Sequence, residues 1–313
     1  MAVQEKTCDM GVRLYAEPKL HEPEMVACWP GIGNAGLIAV DTLRGQLGAE
    51  QMGEVEGWHF FYPSKLVIKG GLLAEMRFPS TRIYYSKPDG RGVLFVIGEE
   101  QPTEGGAMYA TGRKAYEMGN LVLDVAEKFG CRRIYTSGAA VSLTHHSLRP
   151  RVWAVTTGGK LNDELRRYGN VVLMSEAIAS EEGGSITGLN GLLLGLARKR
   201  GFEAVCLMGE VPDYLSGAGF PYPKASRAVL EVLARLVGAE VSYEVVDRMV
   251  AQMEEVVDGV YQKLPSEIVD RLEQRKEALA SRSGGISEED QKWIKEHIEE
   301  LFKRGGEGDE RGA

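Results

Sequence analysis

Short apolar runs punctuate this chain, and segments with helical spacing lie between them. Met25–Trp29, Val93–Ile97, Arg133–Ser137, Val152–Thr156, Val171–Met174 and Ala204–Met208 read as strands. Ala35, Ile38, Ala39, Leu43 and Leu47 share one helical face after the first of them. Leu121, Val122, Val125, Ala126 and Phe129 form a buried stripe in a helix predicted from Tyr109 to Phe129, which Gly130 ends. A helix ending at Arg200 and another over Lys224–Val237 are each closed by glycine. Strands alternating with helices predict an α/β fold, and the fully apolar Val93–Ile97 belongs at the centre of a covered sheet.

Other segments are less regular. Val12–Tyr15 suits an edge strand, and Leu66–Tyr85 predicts two antiparallel strands across a glycine-bearing turn. Asn162–Arg167 suits a short helix. From Tyr243 to Arg304 the chain turns charged and helical, with Met249, Met253, Val256, Val260, Leu264, Ile268 and Leu272 as its apolar positions. Pro265 breaks or restarts that helix, and Arg282–Gly285 makes a hinge. Trp293, Ile298 and Phe302 then share one face of a last helix that needs something to dock on. The expected organisation is an α/β core over 10–245, a helical extension over 246–304 and a disordered tail over 305–313.

The stretch around which the chain is organised is the turn after the first strand. Gly31, Gly33 and Gly36 have the spacing G-x-G-x-x-G ahead of a helix, where unpaired N–H groups can hold an anion. Pro30 and Asn34 are unusual in such a motif, and no acidic residue ends a following βαβ unit. A phosphate cradle, a tight turn for close packing and a protein-contacting turn all remain open. Glu99 and Glu100, Gly138, and Glu210 follow other predicted strands, where α/β folds place ligands. Gly31, Gly33, Asn34, Glu99, Glu100, Gly138 and Glu210 are therefore the candidate ligand residues. Gly184, Gly188, Gly191 and Gly195 line one flank of a later helix and allow close approach.

No catalytic set emerges. His145 and His146 lie in a polar loop, but Ser137 and Ser142 are not in a G-x-S-x-G elbow. Lys160 follows two glycines without the rest of a P-loop. Cys8, Cys28, Cys131 and Cys206 are too scattered for a zinc site. Three of them sit in or beside apolar runs, as reduced thiols of a cytoplasmic protein would. No metal or cofactor is expected. The aromatic cluster Trp58, Phe60 and Tyr62 could anchor an interface or cover a pocket.

Composition narrows the partners. The 313 residues are 43% hydrophobic, enough for one large core, and carry a formal net charge of -8. That charge argues against binding nucleic acid through a broad basic surface. No run approaches the ~18 apolar residues of a membrane span, and residues 1–9 lack the apolar core of a signal peptide.

Three stretches together resemble the proteasome assembly chaperone family and its archaeal and bacterial relatives. They are Trp29-Pro30-Gly31-Ile32-Gly33-Asn34-Ala35-Gly36, Gly188-Leu189-Asn190-Gly191-Leu192-Leu193-Leu194 and Leu207-Met208-Gly209-Glu210-Val211-Pro212. Their order fits as well, and the resemblance covers about residues 10 to 245. It implies a three-layer α/β body, doubly wound or phosphorylase-like, with a mostly parallel sheet, helices on both faces and a C-terminal helical extension. It implies homo-oligomers and, in some members, binding to proteasome subunits without nucleotide hydrolysis. Some members dock through a terminal hydrophobic-tyrosine-any sequence; this chain ends Glu310-Arg311-Gly312-Ala313.

Two readings follow. One is a non-enzymatic, assembly-chaperone-like interaction protein. The other is an α/β protein that binds or transforms a nucleoside, phosphate or sugar at its strand ends. A pocket where Asn34, Glu99 and Glu210 converge would favour the second.

Overall fold

The computed structural model describes residues 6–8, 11–87, 92–105, 107, 109–177 and 185–281. The first half contains β1 (Lys6–Cys8), β2 (Val12–Leu14), β3 (Glu24–Cys28), α1 (Ala35–Gln46), β4 (Glu50–Val55), β5 (Lys65–Lys69), β6 (Leu72–Arg77), β7 (Thr81–Ser86), β8 (Val93–Gly98) and α2 (Gly112–Lys128). Then come β9 (Arg133–Ser142), β10 (Val152–Thr156), α3 (Gly159–Leu165), β11 (Val171–Leu173), α4 (Met174–Ala177), α5 (Gly188–Lys199), β12 (Glu203–Pro212), α6 (Pro223–Leu236), α7 (Glu244–Tyr261) and α8 (Ser266–Ser281).

One ten-stranded sheet runs β1-β2-β4-β7-β8-β3-β9-β12-β10-β11. Its centre, β8-β3-β9-β12, is parallel, with antiparallel strands added on both sides. The strands at the centre are apolar on both faces because helices cover both. Met25 and Ala27 pack with α2 and α5 on one face; Val26 and Cys28 pack with α1 and α6 on the other. This is a three-layer α/β body.

A third cluster sits off the sheet faces. Val211, Tyr214, Leu215 and Tyr222 meet Val257 of α7 and Ile268 and Leu272 of α8. Pro265 separates these two helices, since its missing N–H cannot continue the first. Within α7 the buried positions are Val246 and Val257, whereas Val256 is exposed, so its core-facing stripe differs from the expected one.

Several elements depart from the sequence pattern. Glu50–Val55 forms a strand although it contains no apolar run; Met52 and Val55 face the core and the glutamates do not. Leu66–Tyr85 holds parts of three strands, because β5 and β6 pair only with each other while β7 joins the large sheet. Gly138 and Glu210, expected beyond the ends of their strands, stay in the ladder. The pairing runs unbroken from Glu203↔Arg133 to Pro212↔Ser142, and neighbour hydrogen bonds override weak local preference.

Candidate functional site

The glycine turn after β3 is filled by the protein itself. A single helical turn, Ile32–Asn34, precedes α1, with Gly33 at φ +57° and Asn34 at φ +47°. The Tyr222 N–H donates to Gly33 O at 2.7 Å, and a Cβ on Gly33 would lie 2.9 Å from Tyr222 Cβ. A Cβ on Gly36 would lie 2.6 Å from the Ser137 carbonyl carbon. Glycine is needed there because helix α1 meets the backbone of β9. Gly138 is one rung of that strand, paired with Met208.

Two buried or half-buried amides tie the glycine-bearing stretches together. The Trp29 N–H donates to Asn190 Oδ1 (3.2 Å), and Asn190 Nδ2 donates to Trp29 O (3.3 Å). Gln101 Nε2 donates to Pro30 O, while Gln101 Oε1 accepts from the N–H groups of Leu189 (2.8 Å) and Ala110 (3.2 Å). The turns after β3 and β8 and the start of α5 therefore satisfy one another's backbone groups. The sequence gives the residues but no signal that these two amides are the ties.

The candidate carboxylates do not converge. Glu210 lies inside β12, not beyond it, and is 1% exposed. It accepts from Ser142 Oγ (2.8 Å), the Arg151 N–H (3.1 Å), Arg151 Nη2 (2.8 Å) and Trp153 Nε1 (3.3 Å). Burial alone would raise its pKa; the Arg151 guanidinium, the Arg151 N–H and Ser142 outweigh it, and the carboxyl sits below its ordinary range. Glu99 belongs to the other side of the sheet, accepting from the Ser80 N–H (2.9 Å) and Arg82 Nη2 (3.2 Å). Glu100 is exposed. The parallel strands β3 and β9 separate Glu99, just after β8, from Glu210 in β12.

Above β9 and β12 the strand-end edge is covered by α7 and α8. His145, 2% exposed, takes hydrogen bonds at Nδ1 from the Ser147 N–H (3.2 Å) and Ser147 Oγ (2.9 Å). Its Nε2 lies 3.2 Å from Tyr261 Oη, which donates to Glu273 Oε1 at 3.1 Å. The His146 N–H donates to Tyr214 Oη (2.8 Å), and Lys224 Nζ links His146 O (2.8 Å) to Glu254 (2.9 Å). Arg275 of α8, 3% exposed, donates to Asp213 at 2.7 Å. Burial lowers the His145 pKa to about 4, with His146 adding to the shift, and burial lowers His146 as well. The histidine doublet is a neutral fastening for the C-terminal helices.

The thiols are equally quiet. Cys28, Cys131 and Cys206 are free and buried, and burial pushes Cys131 up to about 12 and Cys206 up to about 11. Neither is a nucleophile at neutral pH. Among the described residues, no group of three metal-ligating side chains gathers.

Exposed apolar surface lies elsewhere. Of the aromatic cluster, Trp58 is 60% and Tyr62 88% exposed, but Phe60 is 5% exposed and packs in the core. Phe60 is thus a support under the loop and not a contact residue. The next segment, the β5–β6 hairpin, exposes every strand side chain except half-buried Val67. Trp293, Ile298 and Phe302 lie outside the described residues.

The sequence model of the PAC2 family matches residues 25–260. The uncharacterized protein MJ1210 of Methanocaldococcus jannaschii is 24% identical over 231 residues, 74% of this chain and 80% of the relative. The crystal structure of Pyrococcus furiosus PbaB, an archaeal proteasome activator, superposes with a TM-score of 0.66 at 26% identity, covering 80% of this chain and 97% of that one. Pyrococcus furiosus PbaA, an archaeal homologue of proteasome-assembly chaperone, gives a TM-score of 0.58 at 22% identity over 86% and 99% of the two chains.

Proposed function

This chain belongs to the PAC2 family, and from that membership we propose that it is a non-enzymatic, assembly-chaperone-like protein of the cytoplasm that works as a homo-oligomer and binds proteasome subunits. The observation that carries the reading is the state of the strand-end edge. Its glycine spaces are taken by Tyr222 and β9, and its buried carboxylate is fully engaged. Its remaining exit is covered by α7 and α8. Apolar surface is instead presented on the hairpin and the loop before it, as in a protein that works through contacts.

The competing reading, a nucleoside, phosphate or sugar site, finds no support in that geometry, because strands β3 and β9 stand between Glu99 and Glu210. PbaB is described as a proteasome activator and PbaA as a homologue of an assembly chaperone, which favours proteasome subunits as the partner class.

Native mass spectrometry of the tagged full chain, purified gently from its own cells, tests this. Proteasome subunits bound in defined stoichiometry are the expected result. A chain that carries no protein partner but retains a small molecule would overturn it.

A further inference from the structure

The β5–β6 hairpin leaves an apolar face in water. Leu66 pairs with Met76 and Ile68 with Leu73, so these four side chains share that face. Each of them is at least half exposed. The other face carries Lys65, Lys69 and Arg77 with one carboxylate, Glu75, which is already paired with Arg77 at 3.0 Å. A two-stranded hairpin is marginal in water unless further strands or a helix pack with it. β5 and β6 pair only with each other, so the large sheet supplies no third strand.

A matching pattern stands in the sequence beyond α8. Between 286 and 304 the apolar positions Trp293, Ile294, Ile298, Leu301 and Phe302 fall on one helical face. Six carboxylates against four basic side chains make this segment acidic, and Glu289, Glu296 and Glu300 line one border of its apolar stripe. The lengths agree as well. Trp293 to Phe302 is ten residues, about 15 Å of helix, and a strand of the hairpin runs about 17–20 Å.

The hairpin is also within reach. It is inserted between β4 and β7, whose Val55 and Thr81 lie level with Gly98 at the carboxyl end of β8. α8 packs at the same edge of the sheet, with Arg275 on Asp213 just past β12. Four strand spacings, about 19 Å, separate β12 from β7. Ser281 ends α8 within about 9 Å of Arg275. Residues 282–286 then span up to about 17 Å, and a helix over 287–304 adds about 27 Å.

We propose that segment 286–304 packs as a helix across the apolar face of the β5–β6 hairpin of its own copy. Its acidic border then lies beside Lys65, Lys69 and Arg77, whose long side chains reach round the hairpin edges. A partner that uses the hairpin must first displace this cover. That consequence rests on the functional reading; the cover itself does not, and it is tested with no partner present.

The test uses the full-length chain, an amine-reactive cross-linker and hydrogen exchange read by mass spectrometry. Lys65 and Lys69 stand on the hairpin, and Lys292, Lys295 and Lys303 in the segment. Cross-links between these two groups are expected in the wild type, with 286–304 protected from exchange. I68D/L73D sets carboxylates on exposed hairpin positions, and I298D/F302D sets them in the segment. Circular dichroism checks both folds. Each variant alone should lose the cross-links and the protection. In cells that make both variants together the loss should persist, because no copy then has both an intact hairpin and an intact segment. Cross-links that return in that mixture would overturn the proposal in favour of a second copy as the cover. A wild type without cross-links or protection would overturn it outright. So would protection that survives in I68D/L73D, or hairpin exchange that stays unchanged in I298D/F302D. None of these failures touches the proteasome reading, because no partner takes part.

Discussion

The Asn190 side chain occupies both hydrogen-bonding positions of the Trp29 backbone, across 161 positions of sequence. It does so where β3 ends, beside a tryptophan that is 0% exposed. The Trp29 N–H has the Asn190 amide as its partner, and the Trp29 carbonyl takes a second, weaker bond from Cys28 Sγ at 3.5 Å.

Replacing Asn190 with alanine therefore orphans a buried donor and leaves a buried acceptor with only the weak Cys28 thiol. The expected loss is about 1–3 kcal/mol, read as a lower urea midpoint with an unchanged slope. A loss below ~0.5 kcal/mol, within the range of ordinary surface changes, would show that the two turns hold together without this tie.

Two glycines make a sharper contrast. Gly36→Ala pushes a methyl into the backbone of Ser137 and Gly138, which cannot rotate away, and should cost about 1–3 kcal/mol or more. Gly195→Ala meets open space on the same kind of element and should gain up to about 1 kcal/mol from helix propensity. Thermal unfolding of the two variants side by side checks the pair. Equal effects would contradict the packing account of the first glycine turn.

That contrast also marks how far the sequence could be read. The apolar runs at Met25–Trp29, Val93–Ile97 and Ala204–Met208 became central strands, because a run buried on both faces needs no partner to reveal it. Glu50–Val55 was hidden, since its strand character comes from β2 and β7 on either side and not from its own residues. Glu210 was expected past a strand end, and pairing with β9 kept it inside the strand. Gln101 carries no pattern, and Asn190 stands in one of the three resembling stretches with no sign of its partner. Their importance lies in contacts with positions far away in sequence. The β5–β6 hairpin was only loosely legible, because a bulge between Val67 and Ile68 breaks the simple alternation.

Stability should fall in mild acid through His145. Its pKa drops from the usual 6.5 to about 4 in the folded chain, mainly through burial. The unfolded chain therefore takes up a proton between those values that the folded one refuses. The contribution is complete above 6.5 and is lost as pH falls toward 4, up to a limit of about 3 kcal/mol. Denaturant titrations at several pH values should show this slope, and it should flatten in His145→Asn. A slope that persists in the variant would move the effect to another group.

The Arg275–Asp213 pair fastens α8 to the turn after β12. Arg275→Met leaves Asp213 without its guanidinium and should cost about 3 kcal/mol, the lower end for a broken buried pair. Asp213 keeps 19% side-chain exposure, which limits the penalty. Limited proteolysis should then cut around residues 262–266 sooner than in the wild type. An unchanged cleavage rate would mean that the apolar contacts of Ile268 and Leu272 hold the helix alone.

The long β9–β12 ladder sets a schedule for the newborn chain. Ser137 must wait for Leu207, its register partner 70 positions later, before the middle of the sheet can close. At about 5–20 residues per second the ribosome takes several seconds to deliver that partner. During this interval β9 presents an open edge of its own, with β3 on one side and nothing on the other. A protein read as a helper of other chains thus passes through its own exposed stage at birth, and slowing translation across residues 143–202 should lengthen it.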